Sequence, residues 1–370
     1  MSESNPVRVM HFIHSLKAGG AERQLGYLVQ SSDPAKLTHA VCCFNDEGRA
    51  ELYSRAEIFK LDRRHKYDFK FREIYQLLKS WNPEIVHNWL PNVLVNSFFP
   101  ARWYRKAIYV SSYRSAVKLN SPQRAFQALV YLFSDRLISI TAEVGLFFPF
   151  RQIFRLKKGS FIPIGIPVDR IARAEPGLPD GLQTDPDQKL LLFVGRLSPE
   201  KNIPLLLQAM QGLSRGNRDM KLLICGEGRE RERLAKTACD LGLEDQVDFL
   251  GYREDIYSIM KACDLLVFPS LREGMGNVLF EALAAGLPAI ASNIPSLAYW
   301  FGNQEIVSLF DPSSRDELST CIRRELDRPE DQRAQRRDDG LRLVRGLDIS
   351  EMVRKSTEFY LGLNNQAEGI

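Results

Sequence analysis

Short apolar runs alternate along the chain with longer stretches whose apolar positions recur every three or four residues. Val7–His14, His39–Phe44, Ile58–Leu61, Ile85–His87, Ile108–Ser112 and Leu137–Thr141 read as strands. Between them, Gly19–Gly20 turns the chain into a helix from about Ala21, and Phe71–Trp81 and Pro122–Phe133 carry helical periodicity. After a further run at Phe161–Ile164 comes Glu175–Asp187, a stretch rich in Pro, Gly and Asp that reads as a linker-like loop. The pattern then restarts with strands at Leu190–Val194, Lys221–Cys225, Val247–Leu250, Leu265–Phe268 and Ala289–Ala291. Helices are predicted at Ile203–Leu213, Arg229–Leu241 and Asn277–Ala285. This order predicts an α/β fold of two doubly wound, Rossmann-like parallel-sheet domains, residues 1–165 and 166–348. A last helical pattern, Ser350–Leu361 within 349–370, is free to pack on either domain. Ligands of such sheets bind outside the carboxyl ends of the strands, so the cleft between the domains is the expected ligand site.

Composition removes several classes of function. At 370 residues, with 44% hydrophobic and 26% charged positions, the chain is neither disordered nor collagen-like. No window approaches 18 uninterrupted apolar residues, and the start MSESNPVRVMHFIH lacks the pattern of a secretory signal, so a cytoplasmic location is expected. The six cysteines form no CxxC and read as reduced core thiols rather than metal ligands. Charge is uneven. Residues 1–165 hold 24 basic against 13 acidic side chains, a net of +11, and the remainder holds 26 against 33, a net of −7. The excess is densest over Arg102–Lys158, with 11 basic residues against Asp135 and Glu143 alone. Trp103, Tyr104, Phe126, Tyr131, Phe133, Phe147, Phe148 and Phe150 are interleaved with them. An anionic membrane surface is the expected partner, because aromatic side chains enter the headgroup region; nucleic acid is set aside on the same ground. The plainer reading is a solvated basic face over buried aromatics.

The chemistry concentrates in two motifs. The first is Pro269-Ser270-Leu271-Arg272-Glu273-Gly274-Met275-Gly276-Asn277-Val278-Leu279-Phe280-Glu281. A strand ends, a glycine loop admits a close ligand, and a helix opens near Asn277, a residue suited to capping. Its free amides and positive dipole end suit phosphate or sugar oxygens. Glu281 lies in an almost wholly apolar run, where a carboxylate needs donors such as ribose hydroxyls; the alternative is an exposed strip of the helix. The second motif is Gly195-Arg196-Leu197-Ser198-Pro199-Glu200-Lys201. Arg196 and Lys201 follow a buried strand and can clamp a diphosphate.

These two runs, EGMGNVLFEALAAGLPAIAS and GRLSPEKN, resemble the nucleotide-sugar-binding half of the retaining glycosyltransferases of family 4. That family has the GT-B fold, and its Glu-x7-Glu pattern is matched by Glu273 and Glu281. The resemblance extends over nearly the whole chain, through Gly19-Gly20-Ala21-Glu22, Val86-His87, Pro163-Ile164-Gly165-Ile166 and Gly226-Glu227-Gly228. It implies that Arg196 and Lys201 neutralise the leaving diphosphate, that Glu281 binds the ribose, and that Glu273 with the backbone of Gly274, Met275, Gly276, Asn277 and Val278 holds the donor sugar and phosphate. It further implies that Gly19, Gly20 and Gly165 lie along the donor, and that the loop at Tyr252 and Arg253 meets the base. A UDP-sugar donor, no essential metal or other cofactor, and a lipid-linked or surface-glycan acceptor are implied in the same way.

Two departures matter. Many members carry a His after the fifth N-domain strand, where this chain has Arg114 in Ser111-Ser112-Tyr113-Arg114. Arg cannot act as a base but can hold charge on the donor or the acceptor. The crossover has Ile164 where Asn is usual. His87 is an acceptor-side catalytic candidate, and a strand-end His satisfied by its neighbours is the alternative. Gly226-Glu227-Gly228 looks like a dinucleotide fingerprint, but Arg231 stands at the third glycine position. Asp185-Pro186-Asp187 reads as a turn rather than a metal motif. Two rival functions stay open: a nucleotide-sugar epimerase on the same fold, and a non-catalytic subunit of a transferase.

Overall fold

The computed structural model describes residues 5–16, 19–44, 50–63, 68–114, 121–140, 150–156, 159–214 and 220–367. The chain divides into two units, Met1–Gly165 with Leu347–Ile370, and Ile166–Gly346.

The N-terminal unit is built on strands β1 (Val7–Ile13), β2 (Leu37–Cys43), β3 (Ala56–Lys60), β4 (Ile85–Asn88), β5 (Ile108–Tyr113), β6 (Arg136–Ser139) and β7 (Ser160–Phe161), in the order β3-β2-β1-β4-β5-β6-β7. Every neighbouring pair is parallel. The apolar runs become strands because both sheet faces are covered. Val7, Val9 and Ile13 enter one core cluster, while Met10 and Phe12 enter the other. The helix Ile349–Ala367 belongs to this unit. It packs against the helix Gly20–Ser31 and adds Met352, Val353, Tyr360 and Leu363 to the first cluster.

The C-terminal unit contains β8 (Lys189–Val194), β9 (Met220–Cys225), β10 (Val247–Gly251), β11 (Leu265–Phe268), β12 (Ala289–Ser292) and β13 (Val307–Phe310), in the order β10-β9-β8-β11-β12-β13. All these pairs are parallel too. A buried carboxylate ties its far edge together. Glu325 accepts from Ser308 of β13 at 2.5 Å, from Arg328 at 2.8 Å and from Arg336 at 2.9 Å.

The structure differs from the sequence pattern in places. The run Phe161–Ile164 is strand only at Ser160–Phe161. Strand β13 and the helices Leu94–Tyr104, Ile256–Ala262, Pro295–Phe301, Arg315–Leu326 and Glu330–Arg345 are additional. Cys42, Cys43, Cys225 and Cys321 are buried thiols, whereas Cys239 is exposed on a polar helix. Among the described residues no helix is long and apolar enough to cross a membrane.

Candidate functional site

In the C-terminal sheet the strand order reverses between β8 and β11, so the connections leaving their carboxyl ends run to opposite sides and leave the crevice in which such sheets bind ligands. Both motifs sit there. Gly195 and Arg196 leave β8, and Pro269 to Glu273 leave β11. The two loops are joined directly: Lys201 Nζ contacts Glu273 Oε1, and Leu271 N donates to the Glu200 carbonyl at 2.8 Å. Lys201 also lies 4.8 Å from the centre of the Phe268 ring. An ammonium has three donors, so the contact with Glu273 leaves two for a ligand. Arg196 is exposed. Burial pushes the Glu200 carboxyl up, but its own backbone amide and the charges of Arg196 and Lys201 outweigh that and hold it below its usual range. The crevice edge therefore carries two cations, Arg196 and Lys201, beside two carboxylates, Glu200 and the already engaged Glu273.

Two glycines explain the shape of this edge. Gly226 has φ +146°, and a Cβ there would collide with the Gly195 carbonyl oxygen. Gly228 lies equally close to the Leu197 carbonyl. The Gly226-Glu227-Gly228 run is thus required by one loop packing on another: Gly195 N donates to Cys225 O at 3.0 Å and Leu197 N to Glu227 O at 2.9 Å. Asp185-Pro186-Asp187 is a turn, closed by Gln188 N donating to Asp185 O at 3.0 Å.

The helix Asn277–Ala284 starts where the pattern placed it, but Asn277 does not cap it. Gly276 does, in the left-handed region at φ +74°, and no side chain bonds the first turn. Leu279 N donates to the Gly276 carbonyl at 2.9 Å, and the amides of Asn277 and Val278 precede it at the positive end of the helix dipole. Met275 and Val278 are buried, so they offer backbone only, while Gly274 and Asn277 are half-buried. Glu281 is 4% exposed among Val278–Ala284, all buried, which rules out the exposed strip. At the end of β10, Tyr252 is 47% exposed, and the Arg253 guanidinium is forked onto Asp255 at 2.8 and 2.5 Å. That pairing engages the Arg253 side chain within its own loop.

The N-terminal unit places its predicted residues differently. Gly19 is the N-cap of the helix Gly20–Ser31, with the Glu22 carboxylate folded over it. Gly165 is not open to a ligand. Its carbonyl accepts from Gln24 Nε2 at 2.9 Å, its N–H donates to Gln24 Oε1 at 2.6 Å, and Ile349 lies where a side chain would be. His87 is buried at 1% exposure, with Nδ1 bonded to Tyr360 Oη and Nε2 to Ser112 Oγ, both at 2.7 Å. The ring is satisfied by its neighbours, so a direct proton-transfer role has no free nitrogen to use.

Sequence reasoning missed the network around His87. Trp89 Nε1 donates to His11 Nδ1 at 3.0 Å, which puts the neutral His11 proton on Nε2, facing His39 Nδ1 at 3.0 Å. Burial lowers the imidazoles of His11 and His87 well below the usual range and brings His39 to about 4. Arg114 lies over the Trp89 ring at 3.7 Å. A signal was available: His11, His39 and His87 stand in β1, β2 and β4, which are neighbouring strands of otherwise apolar character.

The basic, aromatic stretch also resolves in part. Tyr104 and Tyr131 are core residues. Trp103 is 56% exposed and Phe133 54%, with Phe99, Leu129 and Leu132 exposed on the same two helices. Phe99 and Trp103 pack against Phe71, the first tilted and the second edge-on, at 5.6 and 5.9 Å between ring centres. Arg105 and Lys106 are exposed, but Arg102 is not a free surface charge, being forked onto Asp135 at 3.2 and 2.6 Å. Phe147 and Phe148, and the side chain of Phe150, lie outside the described residues.

Comparison with known proteins agrees with this architecture. The family described as Glycosyl transferases group 1 matches residues 178–339. The lipopolysaccharide core biosynthesis glycosyltransferase LpsD of Rhizobium meliloti (strain 1021) is 27% identical over 328 residues, 87% of this chain and 89% of LpsD. Among solved structures, Anabaena Alr3699/HepE in complex with UDP and glucose is similar with a TM-score of 0.78 at 17% identity, over 96% of this chain and 100% of that one. WaaG, a glycosyltransferase involved in lipopolysaccharide biosynthesis, is similar with a TM-score of 0.75 at 18% identity, again over 96% and 100%. The chain therefore has the GT-B fold of two Rossmann-like units, and the stretch that matches the group 1 glycosyl transferase family lies in its C-terminal unit.

Proposed function

We propose that the protein is a retaining glycosyltransferase that moves a sugar from a UDP-sugar to a hydroxyl of a lipid-linked or surface-glycan acceptor, on the cytosolic face of a membrane. The observation that carries this reading is the contact of Lys201 with Glu273, which draws both motif loops to the point where the sheet order reverses. In this scheme the nucleoside lies along the carboxyl edge of β8 to β11, with Glu281 on the ribose and the Tyr252 loop at the base. The diphosphate meets Arg196, the free protons of Lys201 and the first amides of the helix Asn277–Ala284. Glu273 holds the ammonium and the donor sugar.

The rate enhancement comes from electrostatic stabilisation of the departing diphosphate, whose charge grows as the sugar leaves. With no carboxylate assigned as a nucleophile, the acceptor hydroxyl attacks from the leaving-group face. A departing phosphate oxygen takes its proton, which retains the anomeric configuration. No metal ion has a role in this scheme. A glycan-building role is supported by the likeness to LpsD, and a uridine nucleotide by the UDP complex of the Anabaena protein. Incubation with a panel of α-linked UDP- and GDP-sugars tests the reading. Slow hydrolysis of one donor, and an α-linked product by NMR once an acceptor is supplied, are expected. A β-linked product overturns retention, an epimerised nucleotide sugar favours the epimerase, and no donor turnover favours the non-catalytic subunit.

A further inference from the structure

Arg114 stands one residue beyond β5, which pairs with β4 next to the reversal of the N-terminal sheet. Its guanidinium carbon lies 3.7 Å from the centre of the Trp89 ring, and its Nε is buried with no hydrogen-bond partner. The titratable groups that face it are Tyr360, His11 and His87. Burial keeps all three uncharged, raising the phenol and lowering the imidazoles. Burial also draws the guanidinium down to about 9, so it keeps its proton at neutral pH. Three other partly buried arginines have a carboxylate partner: Arg102 has Asp135, and Arg328 and Arg336 share Glu325. Among the described residues no carboxylate is paired with Arg114.

A desolvated cation among neutral groups is an ion pair lacking one member. The platform beneath it is rigid, because Trp89 is held by His11, and His11 by His39. A fixed, forked donor of this kind matches the oxygens of a phosphate or carboxylate. That oxyanion has two possible sources, the donor diphosphate and the acceptor. The diphosphate already has Arg196 and Lys201 assigned to it in the other unit.

We infer that Arg114 receives an oxyanion carried by the acceptor, a phosphate or carboxylate near the hydroxyl that takes the sugar, and so selects charged acceptors over neutral ones. This rests on the transferase reading above. The test uses the full chain saturated with UDP, so that phosphate cannot enter the donor site. Arginine Nε–H resonances are followed by NMR during titration with inorganic phosphate, glucose 6-phosphate and glucose. The resonance lost in Arg114→Gln should move with phosphate and with glucose 6-phosphate but not with glucose. Arg114→Lys, which keeps the charge and loses the fork, should bind phosphate more weakly, on the order of tenfold. Affinity for UDP should be the same in all three proteins. An Arg114 resonance that stays still in phosphate overturns the inference. Loss of UDP affinity in both variants reassigns the residue to the donor. Failure of the wild type to bind UDP would defeat the UDP-sugar reading, while an Arg114 resonance that still moves with phosphate would uphold the oxyanion site.

Discussion

Lys201 Nζ rests against Glu273 Oε1, tying the loop after β8 to the loop after β11 across 72 residues of sequence. Each side chain is about five-sixths buried, with 15% and 17% exposure. The pair therefore positions the cation that the proposed chemistry needs, and it makes either residue a way to test the site.

Lys201→Ala should lower transfer roughly 10²–10³-fold, the usual cost of losing one charge-assisted contact that strengthens as a leaving group departs. Stability should fall by only about 1 kcal/mol, since the pair is partly solvated. Steady-state kinetics beside a thermal melt separate the two effects. Turnover near that of the wild type would remove Lys201 from the mechanism.

Glu281→Gln keeps the volume of a buried side chain and removes its charge. Donor affinity should fall on the order of tenfold, while a 2′,3′-dideoxy donor should bind both proteins alike. Calorimetry with the two nucleotides measures this. The same loss with each would place Glu281 away from the ribose.

Glycine positions give opposite signs. Gly226→Ala must relieve a collision with the Gly195 carbonyl from a left-handed backbone and should cost about 2 kcal/mol or more. Gly212 lies within the helix Ile203–Ser214 with open space around it, so Gly212→Ala should stabilise by about 0.5–1 kcal/mol. Urea midpoints of the two variants should move in opposite directions.

The buried histidines set a pH dependence. His39 titrates near 4 in the folded protein against 6.5 when exposed, because burial disfavours its charged form. The folded state thus binds fewer protons than the unfolded chain between these values. Its stability is complete above about 6.5 and is lost as pH falls toward about 4, by roughly 3 kcal/mol from this residue. His11 and His87 shift in the same direction and add to it. His39→Gln should reduce the slope of unfolding free energy against pH in this window by about one proton, read from urea melts at pH 4.5 and 6.5. An unchanged slope would mean that His39 is protonated in the folded state.

Membrane binding should depend on Trp103 and Phe133 together with Arg105 and Lys106, and not on Arg102. Each exposed cation near an anionic leaflet contributes about 1 kcal/mol, screened by salt. Co-sedimentation with phosphatidylserine vesicles should weaken when Arg105 and Lys106 are neutralised, and again when the two aromatics become Ala. Arg102→Gln should instead lower stability by breaking its fork with Asp135. Equal binding to neutral vesicles, or none to anionic ones, would point to a soluble acceptor.

Legibility in the sequence followed physical range. Phe71–Trp81 and Leu265–Phe268 match the expected bounds because their periodicity is local. The helix Glu330–Arg345 buries only Gly340 and Val344 and so shows no apolar stripe. The helix Leu94–Tyr104 carries Pro100 inside a run that is apolar on most sides. The two motif loops were readable as neighbours of a sheet edge because strand end, glycine loop and helix start fall within a dozen residues. Contacts made across strands were not. Nothing near Gly165 announces that Gln24, 141 positions earlier, takes both its backbone groups, and nothing near Arg114 announces Trp89.

The first unit closes with the last stretch of chain, Leu347–Ile370. On a ribosome this reverses the customary order, in which the half made first folds first. The unit Ile166–Gly346 has all its strands once it leaves the exit tunnel, while β1 to β7 still lack the helix that supplies Tyr360 to His87. The earlier-made sheet waits with an uncovered apolar face until Ile349–Ala367 has emerged. A nascent chain arrested before Leu347 would hold a finished C-terminal unit and an unfinished N-terminal one, which makes the emergence of the helix Ile349–Ala367, rather than synthesis of the first half, the step that completes the N-terminal core.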